Sequence, residues 1–355
     1  MKHMLCALLS LVLCLVLVPS GSAPMRATAL SAKACVVMEA QTGKLLYAEN
    51  ESQKRSIAST TKIMTTLLCL ESGNLDDPFV VDADAIHVEG SSMGLTEGDV
   101  VTKRMLCYGM LLPSGNDAAN ATAVKLAGSI PAFAERMNAR AAQIGMTHSC
   151  FVTPSGLEAP GHGASAYDMA LLARTALQNP DFREICKQST AQVEFGNPPY
   201  ARWLKNTNKL LTMYDGTIGV KTGFTDEAGR CLISACVREG VTLICVTLGA
   251  PDDYNDHIAL YDRHFARMQT MNLAIPEQMT VPVVGGEAES ISVRAGEPVT
   301  VGTDNGDIRP VTVQIFLPPF LYAPVEAGEE IGSLSYYYEG RWVADVPLYA
   351  GKAAA

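Results

Sequence analysis

Between residues 34 and 271, strand-like segments stand at the two ends and helix-patterned segments fill the middle; no other feature limits the fold as tightly. Ala34–Glu39 and Leu45–Ala48 flank Gln41-Thr42-Gly43-Lys44, and Cys231–Val237 and Thr242–Leu248 flank Glu239-Gly240. Both pairs read as antiparallel hairpins. Between them, Thr60–Glu71 sets Ile63, Leu67 and Leu70 at i, i+4 and i+7, with Gly73 as a stop. Helices are expected again over Thr102–Leu112, Asp117–Leu126, Ile130–Ile144 and Tyr167–Leu177, and Asp256–Met271 returns to helix. One antiparallel sheet built from both ends of the segment, with a helical region inserted, satisfies this order; the class is mixed α/β of the α+β type.

Composition changes near Ile275-Pro276. Beyond it come short β-rich runs broken by Gly and Pro: Ile291–Val293, Val299–Val301, Val311–Phe316, Ile331–Tyr338 and Arg341–Val346. These predict a small all-β sandwich. The expected division is a domain over 30–274, a β-sandwich over 275–350 and a tail over 351–355. Residues 1–29 read as a secretory leader: Lys2, an apolar run from Leu5 to Val18, then small residues. Cleavage after Ala23 would leave Pro24 at the new terminus; Ala27-Thr28-Ala29 offers the other position, after 29. The apolar run is short for a bilayer span, and the last residues are too short for an amphipathic anchor. An uncleaved leader acting as an anchor is an alternative, and membrane attachment stays open.

A formal net charge of -10 argues against nucleic acid as a partner. Of ten cysteines, Cys6 and Cys14 fall in the leader, and none of the other eight is spaced C-x-x-C, so no zinc site is expected. Most lie in apolar runs and are expected as buried thiols. The histidines show no metal-ligand spacing, and neither metal nor cofactor is expected.

Ser59-Thr60-Thr61-Lys62 is the only S-x-x-K in the chain. A serine heading a helix is ordinarily an N-cap, but a lysine at i+3 shares its face. Turned inward, that lysine loses solvation, its pKa falls, and it becomes a base for the hydroxyl. Ser114-Gly115-Asn116 breaks two helices after Pro113 and presents two polar side chains. The other S-x-N, Ser72-Gly73-Asn74, reads as a helix C-cap. Lys221-Thr222-Gly223 is the only K-T-G, set between Ile218-Gly219-Val220 and Phe224-Thr225. On an edge strand, Lys and Thr bind a carboxylate and Gly admits close approach to the backbone. A peptide would then lie along that strand. Gly90-Ser91-Ser92-Met93-Gly94 matches the G-x-S-x-G elbow literally, but turn residues follow it where a helix is needed. The acidic run at Asp252 reads as a solvated loop.

Serine, lysine, S-x-N and K-T-G in this order are the set of penicillin-binding proteins and serine β-lactamases. With Arg55–Thr65, Thr153–Leu157, Ala166–Ala170 and Asn206–Leu211, the chain resembles the D-alanyl-D-alanine carboxypeptidases, low-molecular-mass penicillin-binding proteins of a Gram-positive, spore-former-like branch. The resemblance covers roughly residues 33–270, and the β-rich tail is similar to that family's C-terminal domain. It implies a β-lactamase/transpeptidase-like fold and a hydrolase that removes the terminal D-alanine of peptidoglycan stem peptides. Ser59 would be the nucleophile, Lys62 its base and Ser114 the relay to the departing D-Ala. Asn116 would hold the substrate amide, Lys221, Thr222 and Gly223 the carboxylate end, and the N–H groups of Ser59 and Phe224 the oxyanion. β-Lactam antibiotics would acylate Ser59 and stall. Rival readings are a D,D-endopeptidase, a β-lactamase, and an inactive penicillin- or wall-binding protein. Other relatives carry His at Phe224, which leaves a backbone role intact. Some carry an Arg near the helix after the last strand pair; Asp252–Asp256 holds none, so the carboxylate would be held less tightly or by Lys221 and Thr222.

Overall fold

The computed structural model describes residues 30–304 and 311–354; the leader read over 1–29 lies outside them. β1 (Ala34–Glu39) and β2 (Leu45–Glu49) form the first hairpin. A 3-10 turn over Ala58–Thr61 runs into α1 (Lys62–Glu71), so the α-helix starts two residues later than expected. The short strands β3 (Phe79–Val80) and β4 (Val100–Val101) bracket α2 (Ala83–Ile86). There follow α3 (Lys103–Leu111), α4 (Asn116–Ala127), α5 (Ile130–Ile144), α6 (Ala166–Gln178) and α7 (Pro180–Cys186). Their ends follow from capping chemistry. The side chains of Thr102, Ser129, Ser165 and Asn179 accept the N–H groups of Met105, Ala132, Asp168 and Phe182. Gly128 and Gly145 close α4 and α5 in the left-handed conformation.

A hairpin absent from the sequence expectations comes next, β5 (Thr190–Gly196) with β6 (Pro199–Lys205). After α8 (Leu210–Met213), β7 (Thr217–Thr225), β8 (Gly229–Arg238) and β9 (Val241–Leu248) complete the main sheet. Its order is β2-β1-β9-β8-β7, antiparallel throughout, with β7 at an edge. Side chains alternate between two buried faces. Val36, Ile233, Ala235, Ile244 and Val246 join the core of the inserted helices. Ser234 and Thr247 turn the other way, onto His257 of α9 (Asp253–Phe265).

α9 ends six residues short of the helix expected to reach Met271. Residues Gln269–Asn272 form β10 instead, because they pair with β13 (Thr300–Thr303). β11 (Thr280–Val284), β12 (Ser290–Ala295), β14 (Val311–Phe316), β15 (Leu321–Tyr322), β16 (Glu330–Tyr338) and β17 (Arg341–Ala350) build a six-stranded sheet. Its order is β14-β16-β17-β12-β11-β15. Leu273 and Val301 pack on Leu334, Tyr336 and Val346 of this sheet, so the C-terminal part is all-β, as expected. It touches the first sheet through Gln41 Nε2 donating to the Val343 carbonyl (2.8 Å) and a Lys44–Asp304 ion pair (2.7 Å).

Seven of the eight described cysteines are buried and Cys150 is half-buried, all as free thiols. No helix among the described residues is long and apolar enough to cross a membrane.

Candidate active site

Ser59 sits on the 3-10 turn, not at an N-cap: its hydroxyl makes no capping bond. Its oxygen instead accepts from Lys62 Nζ at 2.8 Å. Two features shape this turn. Ala58 holds a positive φ of 46°, and a Cβ on Gly156 would lie 1.9 Å from the Ala58 carbonyl oxygen, so only glycine fits there.

Lys62 is fully buried at the start of α1. Besides Ser59, its Nζ donates to Asn116 Oδ1 and to the Ser155 carbonyl, both at 2.7 Å. Three donors meet three acceptors, so the ammonium is satisfied while remaining out of water. Burial, and then the charge of Lys221, hold its pKa well below the ordinary lysine value, opposed by Asp117. The lowered pKa favours loss of one of these protons, and the neutral amine, already in contact with the Ser59 hydroxyl, has the lone pair a general base needs.

Asn116 opens α4, and its Nδ2 donates to the Glu89 carbonyl at 2.7 Å. The neighbouring Asp117 carboxylate accepts from the Ser92 hydroxyl (2.5 Å) and from the N–H groups of Met93, Gly94, Leu95 and Ala118. That clamp moors the loop carrying the G-x-S-x-G match. Ser92 is therefore a structural partner of Asp117, while Ser91 lines the cleft. Ser114 is 5% exposed and adopts φ 66°, a strained conformation for a side-chain-bearing residue.

β7 closes the other side. A Cβ on Gly223 would approach Ile57 O, Ser59 N and Thr60 N to 3.0–3.1 Å, so glycine lets the edge strand lie against the Ser59 turn. Lys221 is buried behind it, its Nζ donating to the Thr222 carbonyl at 2.9 Å. Burial pulls its pKa down to about 7. Thr222 Oγ1 lies 2.7 Å from Thr207 Oγ1, and Phe224 is 63% exposed. Ser59, Ser114, Thr222, Gly223 and Phe224 line one cleft of about 330 Å³. All eight residues singled out in the sequence thus gather around Ser59, with Lys62, Asn116 and Lys221 behind its wall.

Other residues of the site were not singled out as such. Ser155, whose carbonyl fixes Lys62, belongs to Thr153–Leu157, and Thr207 to Asn206–Leu211; both segments carried only the family resemblance. Arg230 and Tyr254 also line the cleft, and no motif marked them. The acidic run at Asp252 is not a solvated loop: it starts α9, and Asp253 is 2% exposed and paired with Arg230.

Residues 21–252 match the family model described as D-alanyl-D-alanine carboxypeptidase, and residues 274–355 match that of the penicillin-binding protein 5 C-terminal domain. The D-alanyl-D-alanine carboxypeptidase DacF of Bacillus subtilis is 33% identical over 99% of this chain and 94% of its own length. Among solved structures, penicillin-binding protein 5 of Haemophilus influenzae superposes with a TM-score of 0.66 at 26% identity, covering 94% of this chain and 100% of the other. The Streptomyces K15 DD-transpeptidase gives 0.64 at 31% identity over 67% of this chain and 98% of its own. With matches of this extent, the chain belongs to the D-alanyl-D-alanine carboxypeptidase family of serine hydrolases.

Proposed function

We propose that Ser59 removes the terminal D-alanine from peptidoglycan pentapeptide stems through an acyl-enzyme. The observation that carries this reading is Lys62 Nζ, buried and bonded to both Ser59 Oγ and Asn116 Oδ1 beneath the Lys221-Thr222-Gly223 edge strand. Neutral Lys62 takes the Ser59 proton as Oγ attacks the carbonyl between the two D-alanines. The N–H groups of Ser59 and Phe224 receive the oxyanion. The proton passes through Ser114 to the departing amine, and water then hydrolyses the ester. Asn116 holds the substrate amide, and the substrate backbone adds to the free edge of β7. Lys221, Thr222 and Gly223 form the end of the site that meets the substrate carboxylate. β-Lactams enter as imitators of D-Ala-D-Ala and remain on Ser59.

The chain acts outside the cytoplasm after export by residues 1–29, with a peptidase domain over 30–274 and a β domain over 275–350. The test is free D-alanine released from a pentapeptide ending in D-Ala-D-Ala, with Ser59→Ala as control. Release lost in the variant supports the reading. No release from folded wild-type protein overturns it.

A further inference from the structure

The cleft beside Ser59 has a wall formed by Thr222, Arg230, Asp253 and Tyr254. Arg230 stands opposite Phe224 in the β7–β8 pairing. Its guanidinium is fixed from two directions: Nε and Nη2 donate to Asp253 Oδ1 at 3.0 and 2.9 Å, and the Tyr254 ring lies beneath it, 5.4 Å from Cζ to centroid. Asp253 is almost fully buried, whereas 43% of the Arg230 side chain is open to solvent. Such a pair contributes little to stability, because desolvating the carboxylate offsets the attraction. What it does supply is a planar cation held in one orientation on the cleft wall.

The other cations near Ser59 are poorly suited to a carboxylate ligand. Lys62 commits its three donors to Ser59, Asn116 and Ser155. Lys221 is buried, donates to its neighbour's carbonyl, and is only partly charged at neutral pH. Lys209 lines the cleft but is exposed, on a flexible stem.

We propose that Arg230 is the specificity-determining residue that receives the C-terminal carboxylate of the scissile peptide, oriented for that task by Asp253 and Tyr254. The assignment rests on the peptidase reading above. It places the selective charge on the second residue of β8, outside every motif.

The test compares kcat/KM for diacetyl-L-Lys-D-Ala-D-Ala and for its C-terminal carboxamide, with active sites counted by labelled penicillin. Wild type is expected to prefer the carboxylate. Arg230→Gln should lower kcat/KM for the carboxylate about 10- to 100-fold, the value of a charge-assisted bond, and leave the carboxamide within about 3-fold. Arg230→Lys should recover part of the preference. Arg230→Gln combined with Asp253→Asn removes the orphaned carboxylate and should show the same collapsed ratio in a well-folded protein. A preference unchanged in both glutamine variants, or one abolished by Lys209→Gln instead, overturns the assignment while leaving the peptidase reading intact. Wild-type protein that cleaves neither peptide overturns the peptidase reading and this assignment together.

Discussion

The two parts of the chain bury different chemistry. From residue 31 to 265 the interior holds Lys62, Lys103, Lys221, Asp117, Asp168, Asp253 and Asp256 alongside the apolar core. From residue 269 onward, the described buried polar residues are Thr303 and Ser335, and none of them is charged. The β part rests on two small apolar clusters, one around Leu334 and Tyr336 and one around Val281 and Ile291. Burying a charge costs several kcal/mol unless it is paired and bonded. The first part carries that cost beside the Ser59 cleft, at Lys62, Lys221 and Asp253, and also away from it, where Lys103 bonds Ser72, Asp168 bonds Ser149 and Asp256 bonds Ser31; the described residues of the second part show no buried charge. Buried charge therefore distinguishes the first part from the second, while the motifs locate the site within it.

Four experiments sharpen or break this contrast. Ser59→Ala should lower D-alanine release by about 10⁴-fold or more, while changing stability by less than about 0.5 kcal/mol, since the half-exposed hydroxyl leaves no cavity. Leu334→Ala should cost about 2–5 kcal/mol of stability, read by urea denaturation, yet leave the penicillin acylation rate of the folded fraction unchanged. A parallel fall in both would mean that the β part shapes the cleft. Asp117→Asn should cost about 2–3 kcal/mol through weakened charge-assisted bonds, and should slow acylation as well because the Ser91–Leu95 loop loosens.

The smallest effect runs opposite in sign. Lys221→Met should remove activity yet raise stability by about 1–2 kcal/mol near pH 6, where an unpaired buried ammonium is replaced by an apolar side chain. The pH dependence follows from linkage. The folded pKa of Lys221 is about 7, and the unfolded chain titrates near the ordinary lysine value of 10.5. Between these limits the unfolded state binds more protons, so wild-type stability rises with pH through that window and is lowest below it. The advantage of Lys221→Met should shrink from pH 7 to 10.5 in parallel denaturation curves; a gap constant with pH would reject the buried-charge account.

The same contrast explains what was legible in the sequence. Ile130–Ile144 was bounded correctly because Ser129 and Gly145 are strong local signals. Gly223 was marked because its close approach needs that one residue type. The β5–β6 hairpin lies outside the sequence expectations although its signal is present: Ala191, Val193 and Phe195 alternate with Gln192 and Glu194, and Gly196-Asn197-Pro198 holds turn residues. The expected helix runs through Gln269–Met271 because the partner strand of β10 lies about 30 residues ahead, and pairing outweighs local preference. Arg230 carries no local signal: Asp253, which gives it an orientation, is 23 positions away. The motifs revealed the reacting atoms, and tertiary structure alone revealed the residues that aim at them.

The main sheet also dictates when the protein can begin to work. β1 pairs with β9, so Ala34 waits for Leu248 before its strand has both neighbours. β7, which Gly223 brings against the Ser59 turn, is held in that sheet by β8. Contacts this distant in the chain form late, because loop closure must precede any gain from pairing. A nascent chain that has passed α1 already contains Ser59 and Lys62 but lacks the strand that completes their site. The cleft around Ser59 is thus complete only after the two ends of the segment have met in one sheet.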